Sequence, residues 1–381
     1  MKAMSDLMTL RELEIYRLDI PFKLPFKHSS AERSRTQSVW VEAVAGGGLG
    51  RGEGCPREYV TNESIASAAA FFAEHRTAVC EEIRDLETLT RWERRQARVI
   101  DENPAAWCAI ELAILEWLAS RDGVPVEALL SLPPLDGKFR YTAVVGDSGM
   151  DAFKATTARY RDSGFVDFKL KLSGNVEHDR AKVGLMQELQ IEGLRMRVDA
   201  NNLWNRVEDA RAHLAALGCA LLGVEEPLRA NDLDATRQLA EETGYRMILD
   251  ESLLRTHQIS LLENDPEHWI INLRVSKMGG LLRSLAVVRR AREASIPVIV
   301  GAQVGETSLL SRAGLVAARA AGDNLLAHEG AFGTLLLESD VAYPPLMFGP
   351  GGVLDAGPLD LAIAPGWGLA FTGDRSILHS L

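Results

Sequence analysis

Two lysines at alternate positions, Lys169 and Lys171 in the run VDFKLKLSG, stand out together with three acids that each end an apolar run: Asp199 in RVDANN, Glu225 in GVEEPL and Asp250 in ILDESL. The acids are 26 and 25 residues apart. Three carboxylates without histidine or cysteine beside them suit a hard cation, with Mg²⁺ the natural occupant and Mn²⁺ a second candidate. A lysine near that cation can act on a carbon acid. The α-proton of a carboxylate is too weakly acidic for a side chain to remove unless the enediolate is stabilised where its charge develops, and a divalent ion gripping both oxygens does this. Lysine's ordinary pKa of about 10.4 must fall to ~7–8 for this work at neutral pH, and a second ammonium plus a dication push it that way. Lys169 would then serve largely to make Lys171 a base. Singly, the lysines read equally well as the wet face of an edge strand, and Asp199 and Asp250 as caps of following helices.

Such convergence needs neighbouring strands. In a strand, alternate side chains share a face, so Lys169 and Lys171 face together and away from Phe168, Leu170 and Leu172. After LPPLDGKF the chain repeats a short apolar run followed by an amphipathic helix: RYTAVVG, DFKLKL, RMRVDAN, LLGVEEP, RMILDES, WIINLRVSK, PVIVGAQ and LLAHEG. These eight runs recur roughly every 23 to 28 residues, the unit length of a (β/α)₈ barrel rather than an open doubly wound sheet. A GxGxxG loop after a strand is missing. The pattern predicts an α/β fold: a modified TIM-type barrel over residues 134–345, an N-terminal α+β capping domain over 1–133, and a helix-free segment, 346–381, that returns to the cap. Within the cap, ELEIYRLDIPF, TQSVWVEAVAG and LGRGEG read as three strands, and the stretch from about Asn62 to SRDGVPV as mostly helical. In a barrel the inward residues at the C-terminal strand ends carry the active site, which would place the three acids side by side opposite the lysines.

The whole chain sets limits on this. Its 381 residues have near-average hydrophobic and charged fractions and a net charge of −11, which argues against a nucleic-acid or anionic-membrane partner. The start, MKAMSDLMTLRELEIYRLDI, is too acidic and too briefly apolar for a secretory signal, and no segment is long and apolar enough to span a bilayer, so a cytoplasmic location is expected. Cys55, Cys80, Cys108 and Cys219 lack metal-ligand spacing and are expected to be reduced, mostly buried thiols.

Taken together these motifs resemble the enolase superfamily, and within its mandelate racemase/muconate lactonizing enzyme family the muconate lactonizing enzyme (muconate cycloisomerase) subgroup. The resemblance runs from GLGRGEGCPREYVTNES in the cap through the KxK strand, VDANN, EEP, DES and KMGG to HEGAFGTLLL at the last strand. It implies that Asp199, Glu225 and Asp250 bind Mg²⁺, that Lys171 is the acid/base and Lys169 its support, and that a homo-oligomer acts on a small-molecule carboxylate. It also implies two lid loops, about 21–35 and 54–62, that shut over the barrel mouth, making Lys27, His28, Arg33 and Tyr59 candidate substrate contacts.

One departure bears on the reaction. Many members of the subgroup carry a second catalytic lysine in a segment like NxKxxKxGG, whereas this chain reads INLRVSKMGG and has Arg274 there. Arginine stays protonated, so it is a poor base but a good fixed cation. Lys277 matches the later lysine, at the opposite parity if the strand runs on. The expectation is therefore a cycloisomerase or other one-base lyase. The alternatives are a racemase or epimerase of N-acyl amino acids or dipeptides, an acid-sugar dehydratase, or a non-catalytic metal- or acid-binding barrel. Strand parity adds Asn201 and Asn272 as pocket residues. Glu306 and Glu329, near the ends of the seventh and eighth strands, are placed to contact Arg274 or the substrate. His328 is expected to face outward, and Glu226 and Glu251 to point away into supporting contacts.

Overall fold

The computed structural model describes residues 10–28, 31–45, 48–359 and 363–381. Eight parallel strands lie in chain order: β7 (Ala143–Val145), β8 (Asp167–Lys171), β9 (Arg195–Asp199), β10 (Val224–Glu225), β11 (Met247–Leu249), β12 (Trp269–Leu273), β13 (Val298–Val300) and β14 (Leu325–His328). The sheet curls until its ends meet. Tyr141 and His328 form a parallel bridge, and the Thr142 amide donates to the His328 carbonyl at 2.8 Å. The expected barrel architecture is therefore present, its crossovers covering the outside as a parallel sheet requires.

Inward residues divide the barrel interior into two layers. Toward the N-terminal strand ends Ile248, Ile270, Ile299 and Ala327 form a small apolar plug. Residues of the same parity two positions later, including Asp250, Asn272 and Glu329, begin the polar layer above it. Outward residues such as Phe168 and Leu170 are fully buried against the crossovers. Local signals set the helix ends: the Asn175 and Asp232 side chains cap helices Val176–Glu188 and Leu233–Thr243, while Gly218 and Gly244 take the left-handed conformation that closes a helix.

Three expectations need correction. The crossover after β11 has no α-helix, only 3₁₀ turns at Thr256–Leu261 and Pro266–His268, because THQIS contains weak helix formers and NDP cuts the run. The run RYTAVVG is broken: Arg140 ends β6 (Lys138–Arg140), which pairs antiparallel with β15 (Val353–Asp355), and only Ala143–Val145 enter the barrel. The segment expected to be the first lid loop is an antiparallel hairpin of β2 (Pro21–His28) and β3 (Ala31–Arg35). It is tied to the segment after β14 by Lys23 N donating to Leu336 O at 2.8 Å and Glu338 N donating to Pro21 O at 2.9 Å.

The N-terminal α+β cap is built on the sheet β16-β1-β4-β5, with β1 at Leu10–Leu18, β4 at Ser38–Ala45, β5 at Gly48–Gly54 and β16 at Leu378–Ser380. The C-terminal segment thus returns to the cap as expected. Helix Pro104–Arg121, apolar on nearly every side, is buried between this sheet and the barrel. Its start is capped from a distance, since Glu63 accepts from the amides of Ala105 and Ala106 at 3.0 and 3.1 Å. Gly50, Gly52 and Gly54, alternate on β5, let the helix backbone lie directly on the strand: a Cβ there would come within 1.9–2.0 Å of the carbonyls of Ala113, Ala109 and Ala105. Cys55 and Cys108 are buried and Cys80 and Cys219 half-buried, all as free thiols.

Because backbone stands on both sides of that contact, no rotamer change relieves an added methyl. Gly52→Ala is expected to lower the unfolding free energy by about 1–3 kcal/mol, measured by chemical denaturation. An unchanged midpoint would show that helix and strand can separate without cost.

Candidate active site

A cavity of about 320 Å³ opens at the C-terminal ends of the strands, within the size range of small-molecule sites. Lys169, Lys171, Asp199, Asn201, Arg274 and Glu329 line it from the strand ends, and Tyr59 reaches it from the cap. Gln303, Val304 and Glu306 bound it after β13, and Phe332, Leu336 and Leu337 after β14.

The two lysines do point inward, to different partners. Lys169 is 4% exposed and donates to Glu225 Oε2 at 3.1 Å and Glu329 Oε2 at 2.8 Å. Burial alone would lower its pKa, but Glu225, Glu329 and Asp199 outweigh that and raise it, so Lys169 is a permanent ammonium. Lys171 Nζ donates to Asn201 Oδ1 at 2.7 Å and lies 3.5 Å from Asp199 Oδ2. The strand end carrying it is pinned from behind. Buried Lys182 donates to the Lys171 carbonyl at 3.0 Å and to Asp179 Oδ1 at 3.1 Å, while Asp179 accepts from the amides of Ser173 and Gly174.

The three acids sit at adjacent strand ends, with Glu225 in register with Asp199 and Asp250 just beyond β11. Each is turned toward a cation. Glu225 faces Lys169 and also accepts from Asn272 Nδ2 at 3.1 Å, and Asp250 pairs with Arg274 and with Lys277, the latter at 2.9 Å. Among the described residues no three acids are already gathered around one point. The donor set nonetheless fits a hard divalent ion, being all carboxylate with no histidine or cysteine among its donors. Burial raises Glu225, with Asp199 and Glu329 adding to it against Lys169. Burial and the charges of Glu226, Asp199 and Glu225 push Glu251, whose Oε2 has no partner among the described residues, up to about 7.

Several expected roles change. Asn272 is fully buried beneath the cavity and supports Glu225 rather than lining the pocket. Glu329 lines the cavity but does not pair with Arg274; it bridges Lys169 and Arg197, and against the upward push of burial these cations hold it down to about 2. Glu251 lines the cavity instead of pointing away, whereas Glu226 does support its neighbours, accepting from the amides of Asp250 and Ser252. β12 ends at Leu273, so Lys277 lies on the short helix Val275–Met278. There it is held by the carbonyls of Asp250 and Asn272 at 2.8 Å each, and burial with the Arg274 charge lowers it to about 7.

His328 is buried away from the cavity, stacked on Tyr141 at 4.2 Å, and burial drops it to about 3, which keeps it neutral. Tyr59 lines the cavity with the Arg33 guanidinium 5.7 Å over its ring. Lys27 and His28 fall in β2, and their side chains lie outside the described residues.

Other residues in and around the cavity carried weaker signals. Arg197, two before Asp199 and so of inward parity, was legible by the rule that marked the lysines; it donates to Asp167 Oδ1 at 2.6 Å and Glu329 Oε1 at 2.7 Å. Gln303 and Arg57 had none. The Arg57 guanidinium is buried on four carbonyls, those of Thr36, Gln37, Pro56 and Val304, fastening the cap to the loop after β13.

The sequence model of the family described as enolase C-terminal domain-like matches residues 152–375. The chain is 25% identical over 317 residues to the N-succinyl-L-Arg/Lys racemase of Bacillus cereus, covering 81% of this chain and 83% of that protein. It is 26% identical to an L-Lys-D/L-Arg epimerase of Methylococcus capsulatus, over 96% and 99% of the two chains. A crystal structure of a dipeptide epimerase from Cytophaga hutchinsonii, complexed with Mg and D-Ala-L-Val, superposes with a TM-score of 0.83 at 22% identity, covering 98% of this chain and 99% of that one. At that identity the likeness is one of fold.

Glu306 supplies a pH signature. Burial first, with help from Glu53, pushes its carboxyl up to about 8 although the Gln303 amide donates to it at 2.6 Å. A carboxyl raised on folding favours the folded state fully below its unfolded pKa and loses that contribution as pH rises through the folded one. Glu306→Gln is therefore expected to flatten the fall in stability between its ordinary pKa of 4.5 and about 8, read from denaturation curves across that window. Parallel pH profiles for the two proteins would contradict it.

Proposed function

We propose, because the chain belongs to the enolase C-terminal domain-like family of the enolase superfamily, that it is a metal-dependent isomerase that removes the α-proton of an N-acyl amino acid or dipeptide carboxylate. The observation that carries this reading is Lys171 at the cavity wall, 3.5 Å from one of three carboxylates on adjacent strand ends. The expectation of a muconate-type cycloisomerase yields here to the racemase and epimerase alternative, which the relatives favour.

Asp199, Glu225 and Asp250 would hold a divalent ion that stabilises the enediolate. Lys171 takes the α-proton, with Asn201 directing its Nζ. Lys169, held by Glu225 and Glu329, stands two residues away on the same strand face as a fixed ammonium. The hairpin β2–β3 and the turn bearing Tyr59 close the mouth and limit water.

Arg274 favours a second reading, a one-base reaction in which the proton leaves and returns on the Lys171 side. A permanently charged guanidinium can hold the enediolate but cannot accept a proton, and Lys277 is locked beneath Asp250.

Proton NMR in D₂O with Mg²⁺ tests both readings on N-acyl amino acids and dipeptides. Lys171→Ala is expected to slow α-proton exchange by about 10²–10⁴-fold, and chelation of the metal to stop it. Exchange with inversion supports the epimerase, and exchange with retention the one-base reaction. Exchange that persists in Lys171→Ala removes Lys171 as the base. Arg274→Lys is expected to add exchange at the opposite face if the one-base reading holds, and to change nothing there if a second base already operates.

A further inference from the structure

Gln303 follows β13, is 2% exposed and lines the cavity. Arg274 Nη1 donates to its Oε1 at 2.9 Å. Arginine has no acceptor, so the amide must present its oxygen to Arg274 and its NH₂ away from it; the orientation of the amide is fixed by chemistry. That NH₂ has no protein partner among the described residues, and neither does Arg274 Nε. A buried donor left unsatisfied is costly, so these two neighbouring donors call for an acceptor brought by whatever fills the cavity. The backbone beneath is held, since the Gln303 amide donates to Glu306 within the same turn.

The acceptor's character follows from what surrounds it. The Arg274 charge beside Gln303 disfavours an ammonium. Three carboxyl groups facing the cavity are engaged elsewhere, Glu329 by Lys169 and Arg197, Asp199 beside Lys171, and Glu306 by the Gln303 backbone amide, while Glu251 faces it with Oε2 unpartnered among the described residues. Val304, Phe332, Leu336 and Leu337 supply an apolar wall. A carbonyl oxygen on an otherwise apolar group suits the two free donors, the Arg274 charge beside them and that wall.

We infer that Gln303, oriented by Arg274, is a specificity-determining residue that binds the acyl carbonyl oxygen of an N-acylated substrate. The inference rests on the α-proton reading of the same cavity and deepens it, since it assigns recognition of the acyl carbonyl to one residue.

The test measures α-proton exchange in D₂O with Mg²⁺ on N-acetyl-leucine and N-acetyl-phenylalanine and on their N-ethyl counterparts, which keep the bulk but lack the carbonyl. The proteins are the wild type, Gln303→Met, Gln303→Glu and Lys171→Ala. Gln303→Met keeps shape and removes the donor; it is expected to raise KM for the N-acetyl substrates about tenfold with kcat within about threefold. Gln303→Glu, which offers an acceptor instead, is expected to narrow the preference for N-acetyl over N-ethyl. Should either variant fold poorly, the other still reports through the ratio of the two substrates. Unchanged KM in Gln303→Met, with exchange still lost in Lys171→Ala, overturns the role of Gln303 and leaves the base standing. Exchange that survives in Lys171→Ala overturns the underlying function instead. Wild-type preference for the N-ethyl compounds overturns the requirement for an acyl carbonyl, and exchange of neither series by the wild type overturns the underlying function.

Discussion

The central constraint is the charge enclosed by the barrel. Lys169, Arg197, Asp167, Glu225 and Glu329 are each less than 10% exposed, in a space that most such barrels fill with branched aliphatic side chains. Burying ions costs several kcal/mol apiece unless each finds a partner in good geometry. Here the partners are shared: Glu329 gives one oxygen to Lys169 and the other to Arg197, and Arg197 spans Glu329, Asp167 and Thr142. Removing any member would strand another, so the network holds the β8 backbone in place, and Lys171 with it. The same arrangement supplies the fixed ammonium beside the base.

Much of this was legible because strand parity is strict. Once KxK was read as a strand, Lys169 and Lys171 had to share a face, and the spacing of Asp199, Glu225 and Asp250 placed them on successive strands. The same rule explains two partial failures. Asn272 and Glu329 do face inward, but parity says nothing about depth, so Asn272 proved to lie under the cavity and Glu329 to be committed to Arg197. Gln303 was invisible because it belongs to a turn whose course is set by Glu306 three residues on and by the Arg57 clamp, which reaches Val304 across 247 positions. The hairpin β2–β3 was read as a lid loop through the family resemblance, and the two prolines of PFKLPFKH would themselves argue against a strand unless it lies at an edge.

Arg274 links the site to the reaction. It stands between Asp250 and Gln303, on one side a carboxylate expected to hold metal and on the other an amide facing the cavity. A lysine in its place would offer a titratable nitrogen but no planar fork to orient Gln303 while reaching Asp250. Exchanging one for the other would trade a base for a ruler.

The pairing of β1 with β16 has a kinetic consequence. Tyr16 lies opposite Ser380 in the cap sheet, so one edge of that sheet is completed by a segment that follows the whole barrel in sequence. On a ribosome the barrel strands emerge in spatial order and each can dock on its predecessor, whereas β1 must wait for its outer partner until the last barrel strand has been made. Contacts of such sequence separation form slowly because a long loop has to close first. During that interval β1 presents an unpaired edge, the feature most open to pairing with another chain.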